Sequence, residues 1–362
     1  MPAGINLIGY ATSPTGLGED LRAFSAMLDH LEIPYSVTDV PTEVRGQVRH
    51  DWKQLTEEDY ATSFFFMSPM ESVRLHAAQP GLFEKAKIKV GYYLWELPDF
   101  PEAFVPALGL MDQIWCPTTF VQKSLFKKTS KLTLAIPLPV IKAKRGGLDV
   151  RKALGIPPEA FVALYMFDVR STHQRKNPEG TVNAFLNFAE RHPDAYLVLK
   201  INRWQHADRK SLSWIQAHPQ IRLVTETLSH SALSDLYSAA NVYLSLHRSE
   251  GFGRTLVEAM QHGLDVVCTD FSGPADYLNA QNAYLVDWSP RPVAKGDYPY
   301  TEGSTWAEPS LLSAVARLEE VYASPKLGIR KNPENTGREF SVEYLADRYR
   351  KILKTYLSAD NS

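Results

Sequence analysis

Glu250 and Glu258 flank a Gly-Phe-Gly turn in the stretch "SLHRSEGFGRTLVEAM", residues 245–260, with seven residues between them. The apolar run "NVYLSLH" before the turn reads as a strand, and "RTLVEAMQH" after it reads as a helix. Gly251 and Gly253, on either side of Phe252, permit backbone conformations in which several N–H groups face one ligand. The helix N-terminus, opened by Arg254 and Thr255, adds positive potential, so the junction is a cradle for an anion. Carboxylates beside a bound phosphate find their natural partners in hydroxyls, which donate hydrogen bonds to them. Phosphate next to hydroxyls describes a nucleotide sugar. The plainer alternative is an ordinary strand-turn-helix carrying two solvated glutamates. His247, at the strand end, is either a satisfied core residue or a contact of the same ligand.

A second stretch, "YMFDVRSTHQRKNPEGTVNAF", spans residues 165–185. A strand ends at Phe167 and a helix begins near Pro178, a residue suited to a first helical turn. Between them lie Arg170, His173, Arg175 and Lys176, in a loop that reads as exposed. Breaking a sugar–phosphate bond leaves negative charge on the diphosphate, and preorganised cations stabilise that charge directly. The sequence carries no Asp-x-Asp metal motif, so the expectation is no metal and cations supplied by the protein itself. A solvated basic loop is the alternative.

Two stretches near the N-terminus are candidates for the acceptor side. In "GYATSPTGLGEDLRAF", residues 9–24, a strand passes through Gly16, Leu17 and Gly18 into a helix, and the glycines allow close backbone approach or make a simple turn. In "GYYLWELPDFPEAF", residues 91–104, Trp95, Glu96 and Asp99 follow a buried strand. A Trp-Glu pair suits sugar recognition, with an aromatic face for the ring and a carboxylate for hydroxyls, but it also suits a packing Trp with a surface Glu.

These motifs sit on alternating strands and helices. "INLIGY", "YSVTDV", "TSFFFM", "IKVGYYL", "DQIWC" and "LTLAIPL" are strands of a first domain, residues 1–145. After "KAKRGGLDVRK" the pattern restarts with "FVALYMF", "AYLVLKIN", "IRLVTE", "NVYLSLH", "DVVCT" and "AYLVD" in a second domain, residues 146–340. Such alternation is the mark of parallel sheets covered by helices on both faces, so the fold class is α/β with two Rossmann-like domains facing a cleft. Apolar residues at helical spacing from Val342 to Tyr356, with Ser341 as N-cap, define a helix over 341–357 that is expected to pack back on the first domain. Residues 288–308, rich in proline and glycine, read as a long surface loop.

Composition sets the bounds. The 362 residues are 44% hydrophobic, enough for two sizeable cores, and the formal net charge of −2 gives no pull toward nucleic acid. Cys116 and Cys268 lie inside apolar runs and read as core residues of a reducing compartment. No run approaches the ~18 apolar residues of a membrane span, and the N-terminus enters a strand at once, so a soluble, cytoplasmic protein is expected. The segment "FVQKSLFKKTSK", residues 120–131, mixes apolar residues with lysines. It is either a core-facing helix with a solvated side or a peripheral contact with anionic lipid at the inner face of the membrane.

The stretch around Glu250 resembles the E-x7-E region of retaining glycosyltransferases of family 4, which have the GT-B fold; "SLHRSEGFG" with "EAM", and then "GLDVVCTDFSGPADYL", follow that family's text. The resemblance gives Glu250 the donor sugar and Glu258 the nucleotide ribose. It gives Arg175 and Lys176 of "RKNP" the donor diphosphate, and it is extended by "GLGE" in the first domain. Arg254 and Asp265 depart from the family's usual apolar residue and proline, and no histidine stands near Trp95, where many members have one. The family implies a metal-independent hexosyl transfer with retention, needing no cofactor besides the nucleotide diphosphate sugar. GDP-mannose is the first donor expected, with a glycan or lipid-linked oligosaccharide acceptor in O-antigen or other polysaccharide synthesis. The rivals are a GT-B sugar-nucleotide epimerase and a non-catalytic sugar- or partner-binding subunit.

Overall fold

The computed structural model describes residues 3–44, 46–204, 215, 218–300, 303–327, 331 and 333–357. The chain forms two units: Met1–Ile141 with Glu339–Ser362, and Lys142–Arg338. It therefore passes from one unit to the other twice.

In the first unit, β1 (Ile5–Gly9), β2 (Tyr35–Asp39), β3 (Thr62–Phe66), β4 (Ile88–Tyr92), β5 (Gln113–Cys116) and β6 (Leu132–Ala135) form one sheet in the order β2-β1-β3-β4-β5-β6. Every pairing is parallel. Every residue of β1 and of β3 is buried, which is why these strands read as mainly apolar rather than alternating; buried Asn6 and Ser63 satisfy each other with a hydrogen bond of 3.0 Å. The helix Gly16–His30 starts at Thr15, whose hydroxyl accepts from Gly18 N at 3.2 Å. The helix Thr119–Phe126 buries Val121, Ser124 and Leu125, the core-facing arrangement, and leaves Phe126 67% exposed.

In the second unit, β7 (Phe161–Asp168), β8 (Ala195–Asn202), β9 (Ile221–Val224), β10 (Val242–Ser245), β11 (Asp265–Thr269) and β12 (Tyr284–Val286) run in the order β12-β11-β10-β7-β8-β9, again all parallel. The first strand, β7, lies between β8 and β10. The order reverses there, and the crevice at such a reversal is where ligands bind in open α/β sheets. The loops leaving β7 and β10 are neighbours for this reason, although 74 residues separate Arg175 from Ser249 in sequence.

Residues 288–308 are not a plain loop. β13 (Trp288–Pro292) and β14 (Thr305–Pro309) pair antiparallel as a separate ribbon. Two of the three prolines that suggested a loop, Pro290 and Pro292, stand in the exposed strand β13, where a missing N–H is tolerated. Trp306 and Ala307, 1% and 0% exposed, anchor it.

The helix Val342–Leu357 belongs to the first unit. Ser341 caps it, accepting from Tyr344 N at 3.2 Å, and Leu345, Ala346, Tyr349, Leu353 and Tyr356 join the core around Phe24, Phe64 and Trp115. Tyr349 is fully buried, its ring centroid 6.0 Å from Phe24 and 6.2 Å from Trp115, and its hydroxyl donates to Pro137 O at 2.9 Å. Tyr349→Ala is therefore expected to destabilise the first unit by about 3–5 kcal/mol, as for other buried aromatic truncations. Chemical denaturation followed by the fluorescence of Trp115 checks this; a loss under about 1 kcal/mol would show that the helix adds little to that core.

Candidate functional site

The turn after β10 is fixed by its own backbone and by the loop after β11. Gly253, at φ +82°, precedes the helix Arg254–Gln261, and a Cβ there would stand 2.8 Å from Leu256 Cδ1. Glu250 N donates to Ser272 Oγ at 2.8 Å, and Gly273 N donates to Glu250 O at 2.9 Å. A Cβ on Gly273 would fall 2.1 Å from Gly251 O, so only glycine lets the two loops touch. Tyr277 adds a hydrogen bond to Phe252 O at 2.6 Å, and the Phe252 side chain packs beside the Tyr277 ring.

The loop after β7 reaches the same place through the short helix His173–Lys176. Asn177 ends that helix in the left-handed region, at φ 52°, and caps the next helix, Pro178–Ala189, by accepting from Gly180 N. Its amide Nδ2 donates to Leu246 O at 2.8 Å, which ties the loop to the strand end of β10. Arg248 ties it again: its N–H donates to Arg175 O at 2.8 Å and its Nη1 to Gln174 O at 2.5 Å.

These braces bring Glu250 between two cations. Arg175 Nη1 lies 3.0 Å from Glu250 Oε2, and Lys176 Nζ lies 2.5 Å from Oε1. Arg175 Nη1 also donates to Ser249 O at 2.9 Å. Burial alone would push the Glu250 carboxyl up, but Lys176 and Arg175 outweigh it and hold it down to about 2, so the group is ionised. The triad carries a net charge of +1 at the carboxyl end of the sheet, beside a helix N-terminus. Arg175 is only 5% exposed, which corrects the expectation of an exposed loop: strand order puts this side chain under the Glu250 turn.

The other candidates divide. Glu258, one turn further along its helix, is half-buried and accepts from Tyr237 Oη at 2.6 Å. Arg254 and Thr255 are half-buried in the first turn, and Arg170 is exposed. His247 is 0% exposed, with Nδ1 3.2 Å from Ser245 Oγ and Nε2 3.4 Å from Phe271 O; burial holds its pKa down to about 4. It is a neutral interior residue that offers no surface to a ligand. In the first unit, Gly18 is a packing glycine, since a Cβ would meet Ser13 O at 2.4 Å and Tyr10 O at 2.5 Å, whereas Gly16 has open space around it and Leu17 is half-buried. Trp95 is 5% exposed, edge-on to Phe100 and Phe104, and donates to Asp99 O at 2.9 Å. Its ring packs rather than presenting a face. Glu96 is half-buried, and Asp99 pairs with Lys127 at 3.0 Å.

Several residues that build the site had no motif to reveal them. Arg248 is 7% exposed and forms a two-point pair with Glu308 of β14, at 2.9 and 3.1 Å; Arg291 of β13 reaches the same carboxylate at 2.6 Å. Burial opposes the charge on Glu308, but hydrogen bonds from Arg248 and Arg291 hold its carboxyl below the usual range. Ala307 N donates to Arg248 O at 3.0 Å. The ribbon thus braces the two loops through Arg248. Among the described residues no group of three or more His, Cys, Asp or Glu could hold a metal ion. No helix among them is long and apolar enough to cross a membrane.

With this geometry in view, residues 149–291 match the family model of glycosyl transferases group 1. A stretch of 74 residues is 36% identical to the UDP-N-acetylglucosamine–peptide N-acetylglucosaminyltransferase GtfA subunit of Streptococcus pneumoniae serotype 4, covering 20% of this chain and 15% of that protein. The pneumococcal GtfA structure with UDP and GlcNAc aligns with a TM-score of 0.57 at 16% identity, over 93% of this chain and 60% of that one. The chain thus spans well under two thirds of that curated relative. Anabaena HepE in complex with UDP-glucose aligns with a TM-score of 0.68 at 14% identity, over 98% of this chain and all of that one. Sucrose-phosphate synthase from Thermosynechococcus elongatus gives 0.68 at 14%, over 99% and 100%. The fold is GT-B: two parallel-sheet α/β units, the second containing the segment 149–291 that matches the glycosyl transferases group 1 model.

Two outcomes follow from the buried triad and from His247 beside it. Arg175→Met leaves Glu250 with one cation and should destabilise the second unit by about 3–5 kcal/mol, the range for a broken buried pair. Glu250→Gln in the same chain should restore much of that loss in denaturant titrations, and additive losses would show that the pair is not coupled. The second outcome concerns pH. The unfolded chain protonates His247 near 6.5 while the folded chain resists to about 4, so stability should fall as pH drops through that window. The contribution of Glu250, full above its ordinary 4.5, should be lost between there and about 2. His247→Gln should flatten the upper segment by up to about 3 kcal/mol; an unchanged pH profile would show that His247 titrates freely in the fold.

Proposed function

We propose that this chain is a glycosyltransferase that takes its sugar from a nucleoside diphosphate donor bound on the second unit. The observation that carries the reading is the ionised Glu250 held at 3.0 and 2.5 Å by Arg175 and Lys176, beside the N-terminus of the helix Arg254–Gln261. A diphosphate competes with Glu250 for the two cations, and the carboxylate then accepts from a hydroxyl of the donor sugar. Glu258 accepts from the ribose. The acceptor oxygen bonds to the anomeric carbon as the bond from that carbon to the β-phosphate oxygen breaks. The electron pair stays on the diphosphate, where Arg175 and Lys176 stabilise it. The acceptor's proton passes to the departing phosphate oxygen on the same face of the sugar, so the configuration is retained without an enzymic nucleophile. The positive charge comes from side chains, and turnover in excess EDTA is part of the reading.

The acceptor is proposed to meet the carboxyl end of the first unit's sheet, where Gly16 lies open after β1. Two supports bear on the donor. The resemblance to family 4 favours GDP-mannose and a glycan or lipid-linked acceptor of surface polysaccharide synthesis at the inner face of the membrane. The stretch shared with a transferase named for UDP-N-acetylglucosamine and peptide, and the likeness to HepE bound to UDP-glucose, favour a uridine donor. We place the uridine donors first. A peripheral membrane contact through exposed Phe126 and Lys123 completes the proposal.

The test is turnover with UDP-glucose, UDP-N-acetylglucosamine and GDP-mannose against glycan, lipid-linked and peptide acceptors, with and without EDTA. One donor should support transfer or slow hydrolysis in both conditions; no turnover of any donor would overturn the reading. Lys176→Ala should lower kcat by roughly 10²–10³-fold, as for loss of one preorganised charge-stabilising group. Glu250→Gln should lower kcat while leaving affinity for the free nucleoside diphosphate equal or higher, because it releases both cations. A matching loss of diphosphate affinity would place Glu250 on the nucleotide instead of the sugar.

A further inference from the structure

Tyr237 lies near the end of the helix His230–Ser238 and is 1% exposed. Its hydroxyl donates to Glu258 Oε2 at 2.6 Å. Two contacts leave the ring little freedom. It stacks on His262 with centroids 4.9 Å apart and planes 17° from parallel, and it lies 6.2 Å from Tyr243. His262 is itself held at both nitrogens, Nδ1 2.8 Å from Glu258 O and Nε2 2.9 Å from Ser234 Oγ. The helix is anchored in turn by Asp235, which accepts from Gly147 N and Leu148 N, and by Ser234, which donates to Ala143 O. Glu258 is thereby the half-buried end of a chain of rigid groups.

A glutamate at a helix surface ordinarily samples several rotamers, and a ligand that uses it must select one. Here a fixed hydroxyl selects the rotamer beforehand. A carboxylate accepts at about four lone-pair positions, and the bond from Tyr237 fixes one of them, at Oε2. From this geometry we infer that Tyr237 is a positioning residue that sets the plane of the Glu258 carboxylate for the ribose hydroxyls of the nucleotide donor. The inference rests on the reading of Glu258 as the ribose acceptor, and it assigns a specificity role, ribose against deoxyribose, to a residue that touches no substrate. The hydroxyl must stay protonated to donate; burial, with Glu258 beside it, keeps its pKa well above the ordinary value, so this role is independent of pH in the neutral range.

The test uses the full chain with UDP and GDP and their 2′,3′-dideoxy forms in calorimetric titrations. Tyr237→Phe keeps the ring and its stacking and removes only the oxygen. It should weaken the better-binding ribonucleoside diphosphate by roughly tenfold, the order seen when an outer partner of a ligand-holding group is removed. Affinity for the dideoxy form should be unchanged. Glu258→Gln should also narrow the ratio between the two forms, and adding Tyr237→Phe to it should narrow the ratio no further. Equal losses for ribo and dideoxy forms in Tyr237→Phe, or additive losses in the double variant, would reduce Tyr237 to a packing residue and overturn the inference. A ratio untouched by Glu258→Gln would remove the ribose from Glu258, and the inference with it. Absence of binding by either diphosphate would overturn the nucleotide reading itself.

Discussion

A carboxylate nearly sealed from water must be met by positive charge, and at Glu250 it is met by Arg175 and Lys176 together. Much of the second unit follows from that requirement. The strand order places β7 beside β10, which brings the two loops within reach. Asn177 must take a left-handed conformation to turn the chain and still bond to Leu246 O. Position 273 must be glycine so that the loop after β11 can seat Ser272 against Glu250 N. A misplacement of any brace by one ångström would leave a buried charge partly unpaired, so the cluster specifies local geometry more strongly than it stabilises.

The ribbon β13–β14 extends the same logic outward. Glu308 neutralises Arg248, and Arg248 in turn holds the backbone of Gln174 and Arg175. Without Glu308, the buried Arg248 would lose its carboxylate partner beside the two cations Arg175 and Lys176. The resulting alternation, cation-rich loop, carboxylate, cation, carboxylate, spreads charge across the loop after β7, the turn after β10 and β14.

What could be read from the chain alone depended on how local its cause was. The twelve strands of the two sheets were visible in the sequence, most plainly those such as β7, β8 and β10 whose near-complete burial writes itself into consecutive apolar residues. The Ser341 cap and the apolar stripe of the helix Val342–Leu357 were visible for the same reason. The resemblance placed Glu250 and the "RKNP" cations on one donor, but not their ion pair, since nothing local links positions 74 residues apart. The burial of Arg175, the bracing by Glu308 and Ser272, and the partnership of Tyr237 with Glu258 were invisible, each depending on contacts across loops. Of the two readings of Trp95, sugar contact or packing, the second fits its T-shaped contacts with Phe100 and Phe104. The ribbon was misread because proline signals a break only where a strand needs its N–H.

The path of the chain has a consequence for how the protein is made. The second unit, Lys142–Arg338, is contiguous in sequence, whereas the first draws on both sides of it. As the polypeptide leaves the ribosome, strands β1 to β6 emerge first, but the face that receives Leu345, Tyr349 and Tyr356 stays uncovered until some two hundred further residues have been synthesised. The later unit can close before the earlier one. During that interval Phe24, Phe64 and Trp115 lie on a partly open apolar surface, the form of nascent chain that chaperones bind.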